Sequence, residues 1–449
     1  MQTICWYNNF LTEVIVKLNT LSATILFTLS TNCLAQSVDL KTVLSETRSQ
    51  SPLIQKSQAA YDEASWKKTE TFQGFLPSLT GAVNYITNKR YMLVDVNLGG
   101  APVSIAQVVP TTNYTLTAQL PLFDGFASTN RYLAGSKLEK SAQHELEWTQ
   151  FSTERQATLQ FYKTLASQTL KDVAEQNLKT LNDHLKDAQA LRKAGIATTY
   201  DVLRVDVQVS EAKSEWLNSQ DNYEVAKLKL AEILGKENEF RNVQGALPVL
   251  GNEIIDKVSN LKPGERSDII AMRERAASLQ DLDIAAGRYW VPKISAFGQY
   301  QYYNNINDKF SDKDAFREAY LVGLNLTWNL FDIGSTARSH QASAQSIQLE
   351  QTLKINQIKA SQDFEFWKRK LNYFKTVYAA RIIEVEKSAE AIRFAREGRR
   401  AGTRTTSDLL DAQLELFRSR AGQINAQMGA IEALINLELA SGHQLYEFN

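Results

Sequence analysis

Two carboxylates, Asp408 and Asp411, stand three residues apart at the end of the stretch Gly402–Asp411, which opens on a glycine turn signal. In a helix, residues i and i+3 lie on one face, so the two acids would act together. Carboxylates crowded on one face disfavour full ionisation and attract cations. The alternative is that acids near a helix N-terminus only complement the helix dipole.

A second copy of this segment, Ala194–Leu203, helps to weigh the two interpretations. Asp201 occupies the position equivalent to Asp408, so this acid has a partly structural role in both copies. Arg204 occupies the position equivalent to Asp411, so an acid is not required there for capping. Asp411 is therefore the stronger candidate for a functional carboxylate.

Other chemistry is not indicated. No catalytic triad, phosphate loop or metal-ligand spacing is present, and the histidines are scattered. Fifty Lys+Arg balance fifty Asp+Glu, which argues against a nucleic-acid partner. We expect no enzyme activity, no cofactor and no metal site. The four histidines are His144, His184, His340 and His443.

The N-terminus predicts an exported chain. A short apolar run, Leu21–Leu29, follows Lys17 and precedes small residues that fit cleavage before Gln36. A buried core helix or a lipoprotein cut before Cys33 is the weaker interpretation. The only cysteines, Cys5 and Cys33, precede the cut, so the mature chain would hold no disulfide. Beyond this segment, no apolar run reaches the ~18–20 residues of a membrane-spanning helix.

The body of the chain is an internal duplication. Ala194–Leu203 matches Ala401–Leu410 at an offset of about 207 residues, and Pro121–Gly125 matches Asn329–Gly334. Phe75–Pro77 similarly matches Trp290–Pro292. The predicted organisation is a signal peptide over 1–35, repeat one over 36–235, a linker over 236–266, repeat two over 267–442 and a tail over 443–449.

Each repeat reads as helix, strand, loop, strand, long helix, tight turn and helix. The strands alternate apolar and polar residues with period two, as in Asn113–Leu122 and Tyr320–Leu330. Leu79–Thr87 and Ile294–Tyr302 alternate similarly. An ordinary sheet covered by helices would show the same pattern. Residues 88–112 read as one long, partly apolar loop.

The helical segments are unusually long. No proline interrupts Ala127–Lys193 or Ser335–Arg400, and about 67 residues at ~1.5 Å each span on the order of 100 Å. The returning segments carry apolar or small residues at 3-4 steps, which predicts coiled-coil seams. Each repeat should therefore form a long antiparallel hairpin with Gly195 or Gly402 at its tip.

Strands and helices together favour assembly of several chains. Four amphipathic strands cannot close a barrel, and an open sheet edge cannot lie in lipid. The helices are much longer than the sheet that they would have to cover. Their apolar seams are also expected to pack against one another, so they are not available to cover the sheet. Strands pooled from two copies would give eight and from three copies twelve.

With these features, the sequence resembles the TolC-like outer-membrane efflux proteins. The resemblance covers the mature chain and includes the duplicated plan, the strand ends Leu122–Gly125 and Leu330–Asp332, and both tips. It implies an α+β membrane protein: a trimeric 12-stranded outer-membrane β-barrel, four strands per chain, continuing into a long periplasmic α-helical coiled-coil barrel. It also implies a periplasmic adaptor protein and an inner-membrane ABC, RND or MFS transporter as partners, besides outer-membrane lipid.

The same resemblance assigns roles at the tips. Asp408 and Asp411 would face the pore as a gate, and Arg404 would belong to the links that hold it closed. Two positions depart from the family pattern. Arg399 replaces an expected tyrosine opposite Asp201, and Tyr200 replaces a small hydroxyl residue that would meet Arg404. We expect an Arg399–Asp201 ion pair to substitute for the tyrosine link.

Residues 393–404 hold five arginines and one glutamate, which makes the second tip basic. One interpretation is a favourable interaction with the helix C-terminus. The other is adaptor docking through complementary charge, carried by Arg396 and Arg400 beside the tip glycines Gly195 and Gly402.

Three functions stay open at this stage. The first is a passive exit duct for drugs or for polypeptides of type I secretion. The second is a non-conducting structural or adhesive trimer that spans the periplasm. The third is a soluble periplasmic scaffold whose sheet is covered. The similarity of Gly402–Asp411 to the family's gate favours use by both drug pumps and type I secretion.

Overall fold

The computed structural model describes residues 37–86, 92–107, 112–237, 241–251, 258, 261, 264–304 and 316–448. The expected signal peptide and both cysteines lie outside the described residues. Within the described ranges, no helix combines the length and the apolar character needed to span a membrane.

Seven helices and six strands make up the described architecture. The helices are α1 (Leu40–Gln50), α2 (Pro52–Phe72), α3 (Ala127–Lys193), α4 (Thr199–Ile233), α5 (Ser267–Gly287), α6 (Ile333–Arg400) and α7 (Thr406–Ser441). The strands are β1 (Ser78–Tyr85), β2 (Met92–Leu98), β3 (Ala101–Gln107), β4 (Thr112–Phe123), β5 (Lys293–Asn304) and β6 (Phe316–Thr327).

The two long outgoing helices match the uninterrupted segments of the sequence. Helix α3 has 67 residues and α6 has 68, so each is about 100 Å long. Helix α6 begins where the Asp332 carboxylate accepts a hydrogen bond from the Ser335 amide at 3.1 Å. Such an N-cap satisfies an amide that the helix itself leaves unpaired.

A four-stranded antiparallel sheet, in the order β1-β4-β5-β6, joins the two repeats. In its register, Leu116 lies opposite Tyr300, and Thr117 lies opposite Gln299. Since side chains alternate between faces, one face is apolar and the other polar. Both faces are largely open to solvent in the single chain, and β1 and β6 form its two free edges.

The loop expected over residues 88–112 contains a hairpin, which corrects the sequence-based description. Strands β2 and β3 pair antiparallel with each other and turn at Gly99 and Gly100. Both turn glycines have positive φ, at 69° and 99°, as a tight two-residue hairpin turn requires.

The helices below the sheet form a single layer. Toward the tips its order is α4, α3, α7, α6, because α3 packs on both α4 and α7 while α6 packs on α7. Near the tips, Leu181, Val205 and Leu410 belong to one buried apolar cluster. Leu409 and Leu416 form another with Ile392. The period-3.5 seams predicted for α4 and α7 are these packed surfaces.

Halfway along the layer, a buried ion pair ties the repeats together. Arg155 of α3 donates to the Glu438 carboxylate of α7 at 3.0 Å, with both side chains at most 5% exposed. The second Glu438 oxygen accepts the Leu445 and Tyr446 amides at 2.8 and 2.9 Å. Removing one partner of such a pair typically costs about 3–5 kcal/mol. This pair therefore fixes the C-terminal tail against both repeats.

Candidate functional site

Each helical hairpin ends in a turn of the same geometry. At the first tip, the Gly195 amide donates to the Arg192 carbonyl and the Ile196 amide to the Leu191 carbonyl. At the second tip, the equivalent bonds run from Gly402 to Arg399 and from Thr403 to Gly398. The two glycines have φ of 76° and 74°, a left-handed conformation that ends helices at low cost only with glycine.

The returning helices begin with identical capping boxes. At α7, the Asp408 carboxylate accepts the Thr405 amide and hydroxyl, both at 2.8 Å. The Thr405 hydroxyl oxygen in turn accepts the Asp408 amide at 3.2 Å. At α4, Thr198 and Asp201 repeat this arrangement at 2.9, 2.7 and 3.2 Å. Both aspartates therefore fix a helix start.

These bonds also govern the protonation of the capping acids. The Thr405 amide and hydroxyl hold the pKa of Asp408 below its usual value. The Thr198 hydroxyl and amide do the same to the pKa of Asp201. Hydrogen bonds to a carboxylate favour its charged form. Both groups are fixed negative charges at neutral pH.

Asp411 lies one turn further along α7 and is exposed. Among the described residues its carboxylate has no hydrogen-bond or ion-pair partner. Leu409, Leu410 and Gln413 around it are buried. The acid thus projects from the layer with its charge uncompensated.

A third acidic residue, Glu415, lies on this face and was not predicted from the sequence. It is exposed and follows Asp411 by four residues, the spacing of neighbours on a helix surface. The i, i+3, i+7 pattern of Asp408, Asp411 and Glu415 was the signal that could have revealed it. Together the three acids form the acidic face of α7, about two helical turns long.

The structure of one chain keeps the expected link residues apart. The ion pairs of the described residues do not include one between Arg399 and Asp201, which belong to different hairpins. Arg404 folds its aliphatic stem over Gly398, where an added Cβ would lie 2.5 Å from the Arg404 Cγ. Tyr200 is 71% exposed. An Arg399–Asp201 link stays a prediction, and it requires contact beyond the single chain.

The charges of the second tip act on a histidine of the first hairpin that the sequence did not single out. Burial and the charges of Arg399 and Arg396 hold the pKa of His184 on α3 below its ordinary value. Its Nε2 is buried without a hydrogen-bond partner within the described structure. Arg396 and Arg400 are exposed, so they are accessible for the predicted docking.

The outermost helices carry apolar stripes that are exposed in the described part of the chain. On α4, exposed apolar residues recur at steps of three, four, eight and ten residues, which are all close to whole helical turns, and a similar row runs along α6. Such spacing marks one face of a helix. The α4 stripe consists of Leu203, Val207, Leu217, Val225 and Leu228, and the α6 stripe of Ile347, Ile355, Ile358, Phe366, Tyr373 and Phe394.

Comparisons with known proteins assign this architecture to a family. The family described as "Outer membrane efflux protein" matches residues 43–236 and 264–443. No curated protein sequence matches.

Solved structures match over nearly the whole chain. The outer membrane protein VceC of Vibrio cholerae is 16% identical, with a TM-score of 0.75 over 91% of this chain and 97% of VceC. The CmeC outer membrane channel of Campylobacter jejuni is 13% identical, with a TM-score of 0.76 over 91% and 87%. The MtrE outer membrane channel of Neisseria gonorrhoeae, solved in an open state, is 16% identical, with a TM-score of 0.67 over 90% and 89%. At these identities the structures show a shared fold.

Proposed function

The chain belongs to the outer membrane efflux protein family, and we propose that it is the passive exit duct of a tripartite pump or a type I secretion system. Its location is the outer membrane, with the helical layer extending into the periplasm. The pump's inner-membrane component supplies the energy, and this chain supplies the channel.

One observation carries the proposal: the four-stranded sheet has an apolar and a polar face, both open, and two free edges. Free edges are tolerated in lipid only when they pair. Three copies close a 12-stranded barrel by pairing β6 of one copy with β1 of the next. The apolar face then meets lipid, and the polar face lines the lumen.

The helices support the same closure. The apolar stripes of α4 and α6 lie on the two outer helices of the layer. In a ring of three copies, α4 of one chain packs against α6 of the next, which buries both stripes. The layer thereby becomes a helical tunnel continuous with the barrel.

The tips form the gate in this proposal. Three acidic faces place Asp408, Asp411 and Glu415 of each copy around one axis. A ring of carboxylates attracts cations and concentrates them at the constriction. Arg404, Arg399, Asp201 and Tyr200 hold the tips together across neighbouring copies or hairpins.

The tips also receive the partners. A periplasmic adaptor docks on the exposed Arg396 and Arg400 near the tip glycines Gly195 and Gly402, through an acidic surface of its own. The adaptor joins the duct to an inner-membrane ABC, RND or MFS transporter. Drugs and polypeptides are both suitable cargo, because the pump chooses what enters.

Recording from purified trimers in a planar bilayer tests the function. The proposal expects discrete conductance steps for each inserted trimer. Absence of current from trimers shown by protease protection to be inserted would favour a non-conducting structural role. Recovery of the chain in the soluble periplasmic fraction would contradict both.

A further inference from the structure

A cavity of about 450 Å³ lies where the sheet meets the helical layer. Its wall is formed by the first turns of α3 and α6, the end of α5 and the first residue of β5. Four cationic side chains line it, and no acidic side chain of the described residues does. These residues, Arg131, Arg288, Lys293 and Arg338, form the basic neck.

The register of the sheet indicates the surface on which the cavity opens. Lys293 lies opposite Thr327, and Ser295 lies opposite Asn325, on the polar face. Ile294 lies opposite Leu326 on the apolar face. The cavity therefore continues the polar surface, which is the lumen if the proposed function holds.

The cations of the neck are only partly compensated. Arg131 lies 3.9 Å from the Asp124 carboxylate and Arg338 lies 3.6 Å from that of Asp332. Both acids also cap helices, since Asp124 accepts bonds from Ser128 and Asp332 from Ser335.

The other two cations, Arg288 and Lys293, have no acidic partner in the described part of the chain. The neck thus carries an excess of positive charge in every copy.

Helix electrostatics do not explain this arrangement. Arg131 and Arg338 lie in the first two turns of α3 and α6, where the helix dipole disfavours positive charge. Only Arg288, at the end of α5, occupies a favourable position for a cation. Cations gathered against this tendency, around a cavity the size of small-ligand sites, indicate an anionic occupant.

We propose that the basic neck binds small phosphate- or carboxylate-bearing solutes on the wall of the duct. This inference rests on the proposed export function. It adds that organic anions are among the solutes that the duct exports. Arginine presents planar N–H donors that match phosphate and carboxylate oxygens. Three copies form a cationic collar directly below the barrel, at the opposite end of the tunnel from the acidic tips. Anionic cargo released from the tips is held there before it leaves.

Calorimetric titration of purified trimers in detergent with sodium pyrophosphate tests the collar. The double variant Arg288→Gln/Lys293→Gln removes the two uncompensated cations. The matched control, Lys140→Gln/Lys359→Gln, removes two exposed lysines of α3 and α6 that do not line the cavity. We expect the neck variant to weaken pyrophosphate binding at least tenfold and the control to change it less than twofold. Added salt should weaken binding to the wild type.

Other results overturn the proposal. If pyrophosphate does not bind to wild-type trimers, or binds equally to the neck variant, the basic neck is not an anion-binding site. Co-purification of an anionic phospholipid that the neck variant loses, without pyrophosphate binding, would place the cluster on the lipid side instead.

Conductance of the same preparations separates the two claims. Conducting trimers that bind no pyrophosphate would contradict anion binding at the basic neck but not the export function. Inserted trimers without conductance would contradict the export function, whatever they bind.

Discussion

Thr405 and Asp408 bond to each other in both directions, at 2.8, 2.8 and 3.2 Å, one helical turn before the exposed Asp411. Asp408 thus holds the start of α7, and Asp411 is positioned by a helix that Asp408 fixes. The hydrogen bonds of the capping box therefore give Asp408 and Asp411 different roles. One is anchored in a capping box, and the other projects with a free charge.

The capping boxes give the first prediction. Thr405→Ala should destabilise its tip by about 1 kcal/mol, because an N-cap hydroxyl is lost. Hydrogen exchange of the first α7 amides should then accelerate. Thr198→Ala is the matched control, since it removes the same bonds from the first tip. Both variants should loosen their own tip, but Thr405→Ala should raise the conductance more, because the α7 tip carries the acidic face. Equal conductance changes would show that the α7 tip has no special place in the gate.

The second prediction concerns Arg399. If it bonds to Asp201 in the assembled trimer, Arg399→Ala should raise the closed-state conductance and reduce its dependence on salt, because a screened ion pair is removed. Single-channel recording at low and high KCl measures both quantities. An Arg399→Ala channel with the wild-type conductance and salt dependence would exclude the link.

Much of this architecture was predictable, because the hydrophobic periods of helices and strands depend only on residues close together in the sequence. The segment from Ala127 to Lys193 reads as one helix and is one. The alternation around Leu116 and Leu324 correctly predicted strands with one apolar face. The β2–β3 hairpin was missed, although Gly99 and Gly100 between alternating residues were a usable turn signal.

Features that depend on distant segments could not be read in the same way. The basic neck unites residues near positions 131, 290 and 338, which only the strand register and helix packing bring together. The influence of the Arg396 and Arg399 charges on the pKa of His184 likewise depends on how the two hairpins lie side by side. The Arg399–Asp201 link joins separate hairpins, so residue types alone did not determine it.

His184 gives a pH-dependent prediction. Its folded pKa lies below the unfolded value of about 6.5, so the unfolded chain binds the proton more readily. The stability contributed by neutral His184 is present above about pH 6.5 and is lost as pH falls through the folded pKa. Its charged neighbours do not reverse this sign. Burial and then Arg399 oppose protonation most strongly, and Asp187 favours it less than Arg399 opposes it. Arg396 opposes it and Asp183 favours it more weakly still.

Thermal unfolding of trimers between pH 7.5 and 5 measures this effect. His184→Gln should flatten the loss of stability in that range. A wild-type pH profile for His184→Gln would contradict the assignment.

The basic tip gives a prediction about docking. Charge reversal by Arg396→Glu or Arg400→Glu should weaken capture of the trimer by its periplasmic adaptor, since complementary charge is replaced by repulsion. Lys359→Glu, far from the tip on the same helix, should leave capture unchanged. Pull-down of the trimer by immobilised adaptor measures the difference. Full capture of both arginine variants would remove these residues from the docking surface.

The central claim is an export duct closed by an acidic constriction, and one measurement tests it most directly. Calcium is titrated from the tip side during single-channel recording of wild-type, Asp408→Asn and Asp411→Asn trimers. The account predicts a small cation-selective current that calcium blocks, with block weakened at least tenfold in Asp411→Asn. Asp408→Asn should weaken it less, because the Asp408 carboxylate is engaged in hydrogen bonds with Thr405 and is less available to calcium. A large current that calcium does not block, or equal block in Asp411→Asn, would contradict the account.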